Sequence, residues 1–132
     1  MLVGFEHIGM TSGNLDRTID FYVGLLGLDL VLRKRQTRGE VAFLDAGGGM
    51  LEVIAPDREV DIASDVPDGV AGIRHLTLAF DDIDEVVERL EIAGIEIIEH
   101  PRLAYNSEIL KRVAFCRDPD GIIVELAERA EL

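Results

Sequence analysis

The sequence predicts an α+β domain built from two tandem βαβββ modules. Three observations carry that expectation. A strand, a helix and three further strands can be read off twice along 132 residues. The stretch FEHIGM (Phe5–Met10) is echoed by IRHLTL (Ile73–Leu78), with histidine in the same slot. VAFLDAGGGMLEV (Val41–Val53) is echoed by VAFCRDPDGIIVEL (Val113–Leu126), each with a glutamate near its end. The spacing of about 68 residues is too long for a solenoid and suits a two-module domain. One domain over 1–132 is expected, with modules at about 3–56 and 72–128 and a linker at about 57–71.

In the first module, Val3 to Met10 reads as a strand and Thr11-Ser12-Gly13 as a loop. Asn14 is an N-cap for a helix from Leu15 to Leu26, whose Leu15, Ile19, Tyr22 and Leu26 form an apolar stripe ended by Gly27. Strands follow at Leu28–Arg35, Val41–Ala46 and Met50–Ile54, and Gly47-Gly48-Gly49 turns the last two into a hairpin. That glycine run lacks the lysine and helix of a phosphate loop. Pro56 to Gly72 carries prolines and aspartates without periodicity and reads as the connector.

The second module repeats the order. Ile73 to Phe80 is a strand, and Asp82 with Glu85 resembles a capping box. Ile83, Val86, Val87 and Leu90 mark a helix that Gly94 ends. Ile95–Glu99, Val113–Arg117 and Ile122–Ala127 are strands, the last two joined at Asp118-Pro119-Asp120-Gly121.

Composition narrows the functions. Apolar residues at 48% and charged residues at 30% exclude a disordered tail, and no apolar run approaches the ~20 residues that span a bilayer. The start carries no basic and apolar leader, and the lone Cys116 makes no internal disulfide, so a cytoplasmic protein is expected. Cys116 is expected to be a buried, inert thiol, and His100 a solvated loop residue. A net charge of −13 opposes binding to nucleic acid or anionic membrane. The cluster Arg33, Lys34, Arg35 and Arg38 is read as a charged strand edge rather than an anion site.

Four polar residues interrupt apolar strands: His7, Glu52, His75 and Glu125. Alternation along a strand places each on the face away from its most apolar neighbours, among small and mixed residues. One histidine and one glutamate recur in equivalent slots of both modules. Two imidazoles and two carboxylates on a cavity wall make a set for one divalent metal ion (Zn, Ni, Co, Mn or Fe).

This arrangement resembles the vicinal oxygen chelate superfamily, which includes glyoxalase I, methylmalonyl-CoA epimerase, extradiol dioxygenases and bleomycin-resistance binders. NLDRTIDFYVGLLGLDL (Asn14–Leu30) and DPDGIIVEL (Asp118–Leu126) are similar to its most recognisable stretches. The resemblance implies a cupped mixed sheet around a metal cavity, helices on the outer face, and a homodimer. It also implies metal ligation by His7, Glu52, His75 and Glu125, with Glu52 or Glu125 as catalytic base. The activity implied is a metal-dependent lyase or isomerase of glyoxalase I type, acting on a small hydroxy-carbonyl compound through a metal-bound enediolate. An epimerase of the methylmalonyl-CoA type, an extradiol dioxygenase and a non-catalytic binding or resistance protein are the alternatives. Thr11 and Pro56 stand where glyoxalase I enzymes of this short kind carry an arginine and an asparagine, and Asn106-Ser107-Glu108-Ile109 replaces a glycine- and threonine-rich stretch. Glutathione is therefore not expected as the carrier.

Overall fold

The computed structural model describes residues 1–131 and divides into two compact units, Met1–Ile62 and the chain from Ala63 onward. Leu132, the end of the expected domain, lies outside the described residues.

The first unit runs β1 (His7–Thr11), α1 (Leu15–Ile19), a π-helical segment (Asp20–Leu25), β2 (Asp29–Gln36), β3 (Gly39–Asp45) and β4 (Met50–Pro56). Its four strands form one mixed sheet in the order β1-β4-β3-β2, with β1 parallel to β4 and the other pairs antiparallel. Asn14 caps α1 by accepting a hydrogen bond from the Arg17 N–H. The expected single α-helix is instead widened after Ile19. The Leu26 N–H reaches back five residues to Phe21, so the adjacent Phe21 and Tyr22 both turn inward and are fully buried. With Leu44, Leu51 and Val53 they make up the fully buried core of this unit.

The second unit runs β5 (Leu76–Ala79), α2 (Ile83–Ile92), β6 (Ile97–Leu103), β7 (Leu110–Arg117) and β8 (Ile123–Arg129), with sheet order β5-β8-β7-β6. The strand directions match those of the first sheet. Asp82 accepts from the Glu85 N–H, which is half of the expected capping box. The Glu85 carboxylate turns to Arg89 instead, and Glu128 takes the free N–H of Ile83. Ile83, Val86, Val87 and Leu90 are all buried, and each such side chain contributes roughly 1.5–3 kcal/mol over an exposed one. Ala114, Cys116, Val124 and Leu126 complete this core.

Strand ends differ from the sequence expectation for one reason. β1 begins at His7 because its only partner, β4, begins at Met50; β5 begins at Leu76 opposite Val124 of β8. Val3–Glu6 and Ile73–His75 have β character but no ladder to join. In the β3–β4 turn, Gly47 takes φ 104°, and a Cβ on Gly49 would overlap the Phe5 ring. In the β7–β8 turn, buried Asp118 accepts from the N–H groups of Asp120 and Ile122. Part of the expected linker is bound to the second unit: Arg117 forks onto Asp65, Arg74 reaches the carbonyls of Val66 and Pro67, and the Ala63 N–H bonds to Asp120.

Candidate functional site

Each sheet has two chemically distinct faces. Ile8 and Met10 on β1, Ala42 and Leu44 on β3, and Leu51 and Val53 on β4 share the face that packs under the helical segment. The opposite face carries His7, Gly9, Phe43 and Glu52. In the second unit, Leu76, Leu78, Ala114, Cys116, Val124 and Leu126 form the helix face, leaving Thr77, Phe115 and Glu125 on the other. His75 precedes β5 by one residue and keeps the parity of Thr77.

Two pairs result. His7 Nε2 lies 3.7 Å from Glu52 Oε1, and His75 Nε2 lies 3.0 Å from Glu125 Oε1. Glu125 is buried and accepts a 2.8 Å hydrogen bond from the Thr77 hydroxyl, so its orientation is held from two sides. Glu52 is half-buried and is held less tightly; its Oε1 would lie 3.7 Å from a Cβ at Gly9. His7 Nδ1 is 2.9 Å from Glu6 Oε1, a contact that turns Nε2 toward Glu52.

The four residues expected to form the site are thus brought together as one His–Glu pair in each unit. Among the described residues, no three His, Cys, Asp or Glu side chains gather in a way that would hold a metal ion. The pairs nevertheless suit one. Two ligands each ~2.1 Å from a divalent ion, at tetrahedral or octahedral angles, stand about 3.0–3.4 Å apart. The observed separations of 3.0 and 3.7 Å bracket that range.

Several neighbours had not been singled out in the sequence. The His7 ring meets Phe43 edge-on at 5.9 Å, and the His75 ring meets Phe115 edge-on at 5.5 Å. Phe43 is the register partner of Glu52, as Phe115 is of Glu125. The signal was present: both phenylalanines sit in the repeated VAF of the duplicated stretch. Glu6 and Thr77 carry no such mark, since nothing in their spacing distinguishes them from other strand-flanking polar residues.

The other candidates fall outside the pairs. Burial pushes the Cys116 thiol up to about 12, with the Asp118 carboxylate adding to the effect. His100 is exposed, as expected, but belongs to β6 and pairs with Glu91. The basic cluster lies on or just beyond β2, an edge strand. Arg33 is tied to Asp16 and Glu40, and Arg35 to Asp57. A cleft of about 590 Å³ at this end of the sheet is lined by residues including Arg38, Ile54, Asp57 and Arg58.

Residues 4–126 match the family described as Glyoxalase/Bleomycin resistance protein/Dioxygenase superfamily. The chain belongs to this superfamily. Among glyoxalase-superfamily relatives, a protein named probable lactoylglutathione lyase, chloroplastic, from Arabidopsis thaliana is 33% identical over 93% of this chain. The chain spans only 35% of that relative's length. A probable lactoylglutathione lyase from Synechocystis is 26% identical, with 92% of both chains covered. The solved structure of glyoxalase I from Zea mays superposes with a TM-score of 0.80 at 25% identity, covering 97% of this chain and 45% of the maize chain. Two four-stranded mixed sheets with few helices are the fold that membership implies.

Proposed function

We propose that this protein is a divalent-metal-dependent lyase or isomerase of glyoxalase type that removes a proton next to a carbonyl of a small hydroxy-carbonyl compound. The observation that carries the proposal is the duplicated His–Glu pair, backed in each unit by a phenylalanine. A structural histidine needs no second copy with the same partners in the same register. Relatives named lactoylglutathione lyase support carbon-acid chemistry of this kind. Glutathione is left out of the proposal because Thr11 and Pro56 occupy the positions where the resemblance places an arginine and an asparagine.

His7, Glu52, His75 and Glu125 would hold the ion, which would supply Lewis-acid stabilisation of the charge that develops on the substrate oxygens. Each unit brings two of the four donors, and we assign the working form to a homodimer on the resemblance to the superfamily, whose members often pair their modules between two chains. The two glutamates suit different tasks. Glu125, fixed by Thr77 and His75, suits a permanent ligand. Glu52, with a looser hold, suits the base that swings to the substrate carbon. Phe43 and Phe115 pack edge-on against the two imidazoles and help hold their orientation.

Elemental analysis of reconstituted protein tests the ligand set: divalent metal is expected in wild type and is expected to be lost in His75→Ala. Equal metal content in the two would overturn it. Deuterium uptake at carbon from heavy water then tests the reaction. Glu52→Gln should retain metal and lose about 10²–10⁴-fold in exchange rate, the usual contribution of a general base. Efficient turnover of the glutathione hemithioacetal would overturn the substrate class, and oxygen consumption on catechols without exchange would point to the dioxygenase branch.

A further inference from the structure

Outside the His–Glu pairs, one side chain in the second unit is built as though for a ligand. Arg102 Nε is buried and has no hydrogen-bond partner; it is the only buried side-chain nitrogen or oxygen so left among the described residues. Its guanidinium carbon stands 4.2 Å over the Tyr105 ring and 5.9 Å from the Phe115 ring centre. Nη1 donates to the Leu103 carbonyl, and Nη2 donates to Glu99 Oε2 at 3.0 Å. Phe115 in turn packs against the His75 ring. The guanidinium is therefore separated from the His75–Glu125 pair by a single phenylalanine.

A bulge puts it there. Glu99 pairs with Phe115 and Arg102 pairs with Val113, so three steps along β6 match two along β7. Without the extra residue, positions 99 and 102 would lie on opposite faces. With it, Arg102 comes to the face of Phe115 and Glu125. Pro101, which has no N–H to donate, occupies the irregular stretch.

We propose that Arg102 anchors a carboxylate of the substrate, which makes the substrate a hydroxy- or keto-acid whose acid group lies beyond its reacting carbon. This inference rests on the metal-site reading for the reacting end. The Nε–H and the outward Nη2–H form one edge of the guanidinium fork, the edge that takes a carboxylate through two parallel hydrogen bonds. Glu99 holds only one corner of that edge, and its carboxylate is exposed enough to yield to a ligand. Tyr105 stacks on the guanidinium at 4.2 Å, which helps fix the direction of the fork and lowers the entropy lost on binding.

The test compares 2-oxoglutarate with its 5-methyl ester, which share a chelating keto-acid end and differ in the charge of the distal group. Binding is read by calorimetry and by tyrosine emission, since the chain has no tryptophan and Tyr105 lies on the guanidinium. Metal-loaded wild type should prefer the dicarboxylate by roughly tenfold or more, the scale of one charge-assisted hydrogen bond. Arg102→Gln should abolish the preference, and Arg102→Lys should recover only part of it. Glu99→Gln should strengthen dicarboxylate binding by freeing Nη2; misfolding cannot produce opposite shifts in the two variants. Equal binding of the two probes, binding of neither, or weakening by Glu99→Gln would overturn the anchor. A preference that persists in protein unable to bind divalent metal would overturn the metal reading and leave the anchor standing. Absence of the preference in metal-loaded wild type would overturn the anchor and leave the metal reading standing.

Discussion

His7 and His75 share a strand slot, yet their supports differ. His7 leans on Glu6 through Nδ1, whereas the second pair is held from the glutamate side by Thr77. Outer hydrogen bonds of this kind set ring orientation and ligand basicity. Glu6→Gln should therefore weaken metal binding about 10–100-fold without unfolding the protein, checked by chelator competition against thermal melting. Unchanged affinity would mean that Glu6 is a surface residue beside the site. At Cys116 the thiol is held up to about 12 by burial, so its thiolate is scarce in the folded state at neutral pH. Native protein at pH 8 should resist iodoacetamide for hours, while protein in denaturant should react within minutes. Rapid native labelling would show that the thiol is reachable.

Among the elements, the linker end and α2 are tied down by arginine–carboxylate forks. Arg117 lowers the Asp65 carboxyl from its ordinary value by hydrogen bonding to it, Arg112 does the same to Asp84, and Arg33 to Glu40. A carboxyl whose pKa is lowered by folding contributes stability above its unfolded value, near pH 4, and loses it as pH falls through the folded value. Melting temperatures should hold between pH 7 and 5 and fall below about pH 4, and Asp84→Asn should flatten that fall. A fall of equal steepness in the variant would remove Asp84 from the account. Because these pairs face water, the effect of each is small and salt-sensitive. Local protection is the sharper readout for Asp65. Asp65→Asn should speed proteolysis within 63–70 while leaving cleavage of the first unit unchanged.

For the whole molecule, a net charge of −13 works against self-association while the proposed function needs both modules at one site. A homodimer should therefore tighten with salt, as screening shortens the reach of like-charge repulsion to ~8 Å at 0.15 M. Sedimentation at tens of micromolar should give a dimer whose dissociation constant falls between 20 and 300 mM salt. A monomer throughout that range would overturn the dimeric assignment. Exposed Leu30, Val31 and Leu32 on β2 show that the first sheet keeps an apolar edge even as Arg33 and Lys34 charge it. The charges protect that edge from uncontrolled strand pairing.

The duplication by itself determined much of this protein. It supplied the order of strands and helices, the helix caps Asn14 and Asp82, the face on which each histidine and glutamate stands, and the superfamily. These are local or periodic properties, written in alternation, spacing and repeated slots. Tertiary structure decided what depends on partners distant in sequence. The first strand shrank to the residues that β4 can pair with, and the first helix widened so that Phe21 and Tyr22 could both enter the core. Phe43 and Phe115 were placed against the imidazoles by cross-strand register, although the repeated VAF already marked them. Arg102 carried no signal at all, because one bulged residue on β6 inverts the parity from which its face would be read. Alternation predicts a side chain's direction only while the ladder stays regular, and irregularity is settled by the neighbouring strand.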